Sequence, residues 1–123
     1  MAKRTTKTER QIEFFRRYSL FWLACYQEGI FLVPYSFIRT AEEQNKLFNQ
    51  GLSSRNGYEN RSRHQDRMAI DAFAANDNWE PIWDGTAEEY QRADELARVY
   101  GLETGFSWEP KDSNHTQLPK TSV

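Results

Sequence analysis

The chain has 123 residues, of which 38% are hydrophobic, 15% aromatic and 28% charged. This length favours one domain, and the aromatic share is enough for a compact core, so disordered, collagen-like and coiled-coil classes are excluded. The 16 basic and 18 acidic residues leave a net charge of -2, which gives no strongly basic field for nucleic acid. Because Cys25 is the single cysteine, the fold cannot depend on an internal disulfide or an oxidising compartment.

The N-terminal segment is basic, but no long apolar run follows it, and the apolar stretches elsewhere are too short to cross a bilayer. We therefore expect no signal peptide and no membrane insertion, with synthesis in the cytoplasm and any extracellular target reached by another route. The sequence contains no internal repeat and no linker-like segment. We expect residues 1–123 to form a single monomeric domain, with a core that spans residues 8–118 and short flexible tails.

The first part of the chain predicts a long helix followed by a strand. Apolar residues recur at three- and four-residue spacing over residues 8–28, which indicates an amphipathic helix closed by Gly29. The apolar positions are Ile12, Phe15, Tyr18, Phe21, Trp22, Cys25 and Tyr26. Residues 30–36 predict a short strand, and Pro34 favours the edge of a sheet because it has no backbone N–H to donate.

The middle of the chain predicts a helix, a loop and a second strand. Thr40 and Glu43 have the spacing of a capping box, which opens a helix that ends at Gly51. Residues 52–66 are polar and rich in turn formers, so we expect an irregular loop. Residues 68–74 predict a strand. One face of this strand would carry Met68, Ile70 and Ala72. The opposite face would carry Ala69, Asp71 and Phe73.

The last part predicts a loop over residues 76–85, a helix and two short strands. Thr86 and Glu89 repeat the capping-box spacing, and the helix they open ends before Gly101. The two strands would flank a turn at residues 109–114. This order of helices and strands indicates an α+β fold.

Two histidines and one carboxylate stand out chemically. His64 and His115 lie among polar residues, where an exposed loop histidine is the ordinary interpretation. Asp71 lies inside an otherwise apolar strand, where a carboxylate is costly unless it is paired, hydrogen-bonded, metal-bound or turned to water. His64 and Asp71 could share a metal ion only if the chain folds back between them, which polar residues 65–67 permit. With His115 as a third ligand, a water would complete the coordination typical of catalytic zinc.

Asp112 precedes His115 by three residues, in a segment whose composition favours turns. Across such a turn it could lie beside the metal-bound water, take its proton and pass that proton to a leaving amine. The alternative is an ordinary turn residue.

Three ordered segments resemble a family of zinc peptidases that cut the peptides of bacterial peptidoglycan. Residues 62–71, SRHQDRMAID, resemble the signature SxHxxGxAxD, and residues 112–115, DSNH, resemble a second signature with an acidic residue three before the last histidine. Residues 37–51 resemble the segment YRxxxEQxxL…G. The family comprises D-alanyl-D-alanine carboxypeptidases and L-alanyl-D-glutamate endopeptidases, including many phage endolysins. The resemblance implies a DD-peptidase/Hedgehog-like domain, an antiparallel sheet with helices packed against it.

The resemblance also implies roles for particular residues. Three of them would hold a Zn²⁺ ion: His64, Asp71 and His115. Asp112 would be the general base and acid, and Arg39 would hold a substrate carbonyl or carboxylate and stabilise the oxyanion. Ser62 would orient the site by hydrogen bonding. Departures from the family pattern include Arg67 in place of glycine and Thr116 in place of an aromatic residue.

The function expected from this resemblance is hydrolysis of the L-alanyl-D-glutamate bond in the peptidoglycan stem peptide, by a phage or prophage endolysin released to the wall. A D-Ala-D-Ala carboxypeptidase or endopeptidase is the nearest alternative. A non-catalytic wall-binding or virion domain on the same fold is another. A nucleic-acid module is a third, which we do not expect on a net-acidic chain. It is suggested by Arg55, Tyr58, Arg61, Arg63 and Arg67.

Overall fold

A computed structural model describes residues 6–53, 55–58 and 66–119 of the chain. The elements in chain order are α1 (Lys7–Gln27), β1 (Phe31–Ser36), α2 (Ala41–Asn49), β2 (Ala69–Ala75), β3 (Pro81–Ile82), α3 (Glu88–Val99), β4 (Glu103–Gly105) and β5 (Asp112–Gln117). The predicted α+β class is confirmed. Among the described residues, no helix combines the length and the apolar character needed to cross a membrane.

The strands form one antiparallel sheet in the order β1-β2-β5-β4. β1 lies at the edge of this sheet, as Pro34 predicts. β3 pairs with the end of β2, where Ile82 faces Ala74. The predicted loop over residues 76–85 is therefore wrong at Pro81–Ile82. Two residues are too few to show the alternating pattern of a strand, and they form one only by pairing with β2.

Helices α1 and α3 pack against one face of the sheet and enclose the core. The largest fully buried core side chains include Phe14, Phe21, Met68 and Leu118. The predicted apolar face of α1 is partly wrong, since Ile12 is exposed and Phe14 is buried. The buried positions of α1 are Phe14, Tyr18, Phe21 and Cys25. They form a narrower stripe than the sequence suggests because only one side of α1 meets the sheet.

The two predicted capping boxes have different outcomes. At α2 the box is confirmed, because the Thr40 hydroxyl accepts from the Glu43 N–H at 3.0 Å and the Glu43 carboxylate accepts from the Thr40 N–H at 3.4 Å. At α3 the prediction is wrong, since the N-cap is Ala87, which caps with no side-chain bond. The Thr86 hydroxyl instead donates to Asp84 at 2.6 Å, so the preceding turn uses the group that would have capped the helix.

The predicted turn at residues 109–114 is also shorter than expected. β5 begins at Asp112, so the second half of the segment belongs to the sheet. Pairing with β4 recruits these polar residues into a strand that their composition does not indicate.

Candidate metal centre

Asp71 and His115 face each other across β2 and β5 on the sheet face opposite the helices. They are direct cross-strand partners, and Nδ1 of His115 lies 3.2 Å from Oδ1 of Asp71. The alternation of β2 produces this placement: Ile70 and Ala72 enter the core while Asp71 points to the other side. The carboxylate of Asp71 thus finds polar partners on the sheet face that the helices do not cover.

Asp112 reaches the same place through an irregularity in the pairing of β5. Residues three apart on a regular strand point to opposite faces, so Asp112 and His115 should diverge. The register breaks here, because Thr104 pairs with Thr116 whereas the next residue, Gly105, pairs with Asp112. The three residues of β5 between Asp112 and Thr116 therefore have no partner on β4, although His115 still pairs with Asp71 on β2. The side chain of Asp112 is brought back toward His115 by this irregularity and not by the turn expected from the sequence.

Asp71, Asp112 and His115 form a group whose candidate ligand atoms all lie within 4.8 Å of one another. Two ligands of a tetrahedral zinc ion, each about 2.0–2.2 Å from it, lie about 3.4 Å apart. The Asp71–His115 separation of 3.2 Å matches this value, and Asp112 is close enough to approach a bound water. Imidazole and carboxylate donors are those that zinc accepts in catalytic sites. The residues present fit a zinc ion.

Arg39 lies two residues before α2 and points its guanidinium at the same group. It donates to Asp71 at 3.4 Å and to the Ser36 hydroxyl at 3.2 Å. Its other terminal nitrogen donates to Oε1 of Gln44 at 2.7 Å. Gln44 is fully buried and donates in turn to Ser53 at 2.6 Å, so a rigid polar anchor holds Arg39 in place.

His115 is buried and is contacted on two further sides. Its Nε2 lies 2.8 Å from Oε1 of Gln117, and its ring centroid lies 5.1 Å from that of Trp108. Burial opposes the charged form of His115, but the hydrogen bond and charge of Asp71 outweigh it, and the pKa of the imidazole is raised above its ordinary value. Gln117 and Asp112 add to the rise.

An open cleft of about 1580 Å³ lies over these side chains. Tyr35 lines one wall, where its hydroxyl accepts from Asn114 at 3.1 Å, and Trp108 lines another. Burial raises the pKa of Tyr35, and the charges of Asp71 and Asp112 add to the rise. Of the residues that the structure describes, the charged side chains around the cleft are Arg39, Glu43, Lys46, Arg55, Asp71, Glu109, Lys111 and Asp112.

The structure brings together Asp71, Asp112, His115 and Arg39. His64 and Ser62 lie outside the described residues, as do two arginines of the suggested nucleic-acid stripe, Arg61 and Arg63.

The sequence analysis missed Gln44, Gln117 and Trp108. Gln44 had a signal, because it matches the glutamine of the YRxxxEQxxL…G segment, and so did Gln117, which follows His115 by two residues and shares its strand face.

The backbone conformation of Arg67 is one that glycine, the residue of the family signature at this position, adopts readily. Arg67 forms a turn with Asp66 directly before β2, and its φ of 58° lies in the left-handed region. Glycine adopts that conformation without strain, whereas an arginine does so at a cost. The chain therefore turns at Arg67 with a side chain where the signature has none.

Solved peptidase structures share this fold of an antiparallel sheet with helices packed on one face. The chain superposes on the D,D-pentapeptidase VanY, solved as a variant in complex with Zn(II), with a TM-score of 0.67 and 15% identity over 87% of this chain and 71% of that one. It superposes on the L-Ala D-Glu endopeptidase ChiX of Serratia marcescens with a TM-score of 0.61 and 23% identity over 73% and 68% of the two chains.

A third solved structure, the LD-carboxypeptidase LdcB, gives a TM-score of 0.61 and 18% identity. The match covers 89% of this chain and 59% of LdcB. No protein-family profile and no curated protein sequence matches the chain. The structural likenesses confirm the predicted DD-peptidase-like fold, and the chemistry of this chain is argued from its own residues.

Proposed function

We propose that this protein is a zinc-dependent peptidase that hydrolyses the L-alanyl-D-glutamate bond of the peptidoglycan stem peptide. The observation that carries the proposal is the convergence of Asp71, Asp112 and His115 in one cleft beside Arg39. The three solved structures of the same fold support the substrate class, since their names describe peptidases or peptidoglycan recognition.

Asp71 and His115 would hold the zinc ion together with His64. A bound zinc ion lowers the pKa of water to about 7 and polarises a carbonyl group, which supplies a nucleophile at neutral pH. Asp71 also accepts from Arg39. This bond orients the carboxylate from the side away from His115, as outer contacts commonly do for metal ligands.

Asp112 is the proposed general base. Its carboxylate lies within 4.8 Å of the candidate ligand atoms of Asp71 and His115, and the residue is exposed to the cleft. It can take a proton from the attacking water and return it to the leaving amine. Asp112 could otherwise serve as a metal ligand itself, and retention of zinc after its removal distinguishes the two roles.

Arg39 is proposed to bind a carbonyl or carboxylate of the stem peptide. A guanidinium offers several N–H donors in a fixed plane, and the bonds to Gln44 and Ser36 fix that plane before substrate arrives. Lys46, Arg55 and Lys111 also line the cleft. These positive charges suit the carboxylates of a stem peptide, and Ser62 remains proposed as an orienting hydrogen-bond partner.

The first experiment is mass spectrometry of peptidoglycan fragments after digestion with zinc-loaded protein. We expect new L-Ala carboxyl ends and D-Glu amino ends. Asp112→Ala should abolish both while retaining zinc, and Asp77→Ala, at an exposed turn position, should leave them unchanged. Release of free D-Ala would identify a carboxypeptidase instead. No new ends from a zinc-loaded, folded protein would favour a non-catalytic wall-binding or virion domain.

We further propose that the protein acts as a monomeric phage or prophage endolysin, made in the cytoplasm and released to the wall. This role rests on the motif resemblance. Co-expression with a membrane-pore protein tests it: lysis should require both proteins and should fail with Asp112→Ala. Lysis that is equally fast with the variant would contradict the role.

A further inference from the structure

A side-chain hydrogen-bond relay continues beyond His115 to the far strand of the sheet. Glu103 on β4 is the direct cross-strand partner of Gln117 on β5, and the Gln117 amide donates to the Glu103 carboxylate. The oxygen of the same amide, Oε1, lies 2.8 Å from Nε2 of His115. Glu103 thus reaches the candidate metal centre through one intervening side chain.

The chemistry of the three groups fixes the direction of this relay. An ionised carboxylate can only accept, so Gln117 must turn its NH₂ group toward Glu103 and its oxygen toward His115. An amide oxygen can only accept as well, so Nε2 of His115 must carry a proton. The carboxylate of Asp71 also only accepts, so Nδ1 carries a proton too in the absence of metal. A metal ion bound beside Asp71 would take the place of that proton, while Gln117 keeps the one on Nε2.

We propose that Glu103 and Gln117 are positioning residues that hold His115 in its Nε2–H tautomer and thereby select Nδ1 as the metal-binding nitrogen. The inference rests on the zinc site of the proposed function and adds two residues that touch neither metal nor substrate. A neutral imidazole without the relay has both tautomers available, and only one presents its lone pair toward Asp71. Outer contacts of this kind typically contribute about 10–100-fold in metal affinity.

The test is ¹⁵N NMR of the imidazole in protein loaded with ¹¹³Cd, a spin-active substitute for zinc. We expect scalar coupling of the metal to Nδ1 of His115. Gln117→Leu should weaken that coupling and raise the zinc dissociation constant about 10–100-fold. Glu103→Gln should give a smaller loss, because the Gln117 amide can then rotate. Glu80→Gln makes the same chemical change at an exposed position and should have no effect.

A double variant separates positioning from simple loss of structure. E103Q combined with Q117E moves the carboxylate to β5 and the amide to β4, which again puts an acceptor opposite Nε2 and a donor opposite the carboxylate. Zinc affinity and the Nδ1 coupling should return close to those of the unmodified protein. Rescue of this kind is not expected if Gln117 only fills space.

The possible results separate this inference from the proposed function. Coupling to Nε2, or an unchanged Nδ1 coupling and affinity in Gln117→Leu, overturns the inference and leaves the metal site standing. Failure of the unmodified protein to bind cadmium or zinc overturns the metal site and the inference with it. Coupling to Nδ1 that is lost in Gln117→Leu and restored in the double variant supports both.

Discussion

Gly105 lies against the backbone of Asp112 so closely that no side chain fits between them. A Cβ at Gly105 would be 2.2 Å from the carbonyl oxygen of Asp112 and 2.8 Å from its Cβ. Because most of these contacts are with backbone, a shift of the strand is the only relief. The glycine therefore permits the irregular pairing that brings Asp112 to His115.

Gly105→Ala should separate Asp112 from the metal centre. We expect a loss of about 1–3 kcal/mol in the free energy of unfolding, from overpacking, and a larger loss of peptide cleavage. Zinc affinity should stay near that of the unmodified protein, since Asp71 pairs with the other side of β5. Urea denaturation, zinc titration and cleavage of a defined stem peptide measure the three quantities. Full activity in this variant would contradict the assigned position of Asp112.

Arg39→Lys should reduce kcat/KM by about 10²–10³-fold, the usual effect of removing a group that stabilises developing negative charge. Lysine keeps the charge but cannot bond Gln44, Ser36 and Asp71 in the fixed plane that the guanidinium provides. Arg16→Lys, on the exposed face of α1, is the matched control and should be neutral. Equal kinetics for the two variants would remove Arg39 from the mechanism.

Asp71→Asn should abolish stabilisation of the fold by zinc. For the unmodified protein, free zinc at 100 times its dissociation constant should add about 2.7 kcal/mol to the free energy of unfolding. The variant at the same zinc concentration should show no such gain, because the amide is a poor substitute for the carboxylate ligand. Asp77→Asn should behave like the unmodified protein. Thermal melts with and without zinc, and with chelator, make the comparison.

Arg67→Gly should stabilise the protein by about 0.5–1 kcal/mol, because relief of left-handed strain outweighs the greater freedom of glycine in the unfolded chain. Arg67→Ala removes the same side chain but keeps the positive φ, so it should give no gain. Chemical denaturation of both variants measures the difference. A loss of stability in Arg67→Gly would show that the arginine side chain itself contributes to the turn.

Cys25 should resist alkylation in the folded protein. Burial in the core raises the pKa of its thiol to about 12, and the charge of Glu28 adds to the rise. A raised pKa keeps the thiol protonated well above the pH at which an unfolded cysteine ionises, so the reactive thiolate is scarce at pH 8. Mass spectrometry after iodoacetamide treatment should show modification in urea and little without it. Rapid labelling of the native protein would contradict this burial.

The sequence predicted helices and strands correctly where interactions between neighbouring residues determine the conformation. The presence of helix α1, the box at Thr40 and Glu43, and the edge preference of Pro34 depend on neighbouring residues and match the structure, whereas the buried face of α1 matches only in part. Thr86 failed as a cap because Asp84, two residues earlier, competes for the same hydroxyl. β3 was missed because its pairing depends on β2 and not on its own two residues.

The sequence by itself determined the fold class, and by resemblance it named the residues that would meet at a metal centre. For Asp71 the residue type alone was informative, because a carboxylate in an apolar strand needs a polar partner or a metal ion. Only the tertiary structure decided how Asp112 reaches His115, through a break in strand register beside Gly105. It also revealed that Gln44 anchors Arg39 and that a hydrogen-bond chain runs from His115 through Gln117 to Glu103. These contacts join separate elements, and cross-strand register is set by packing of the whole sheet.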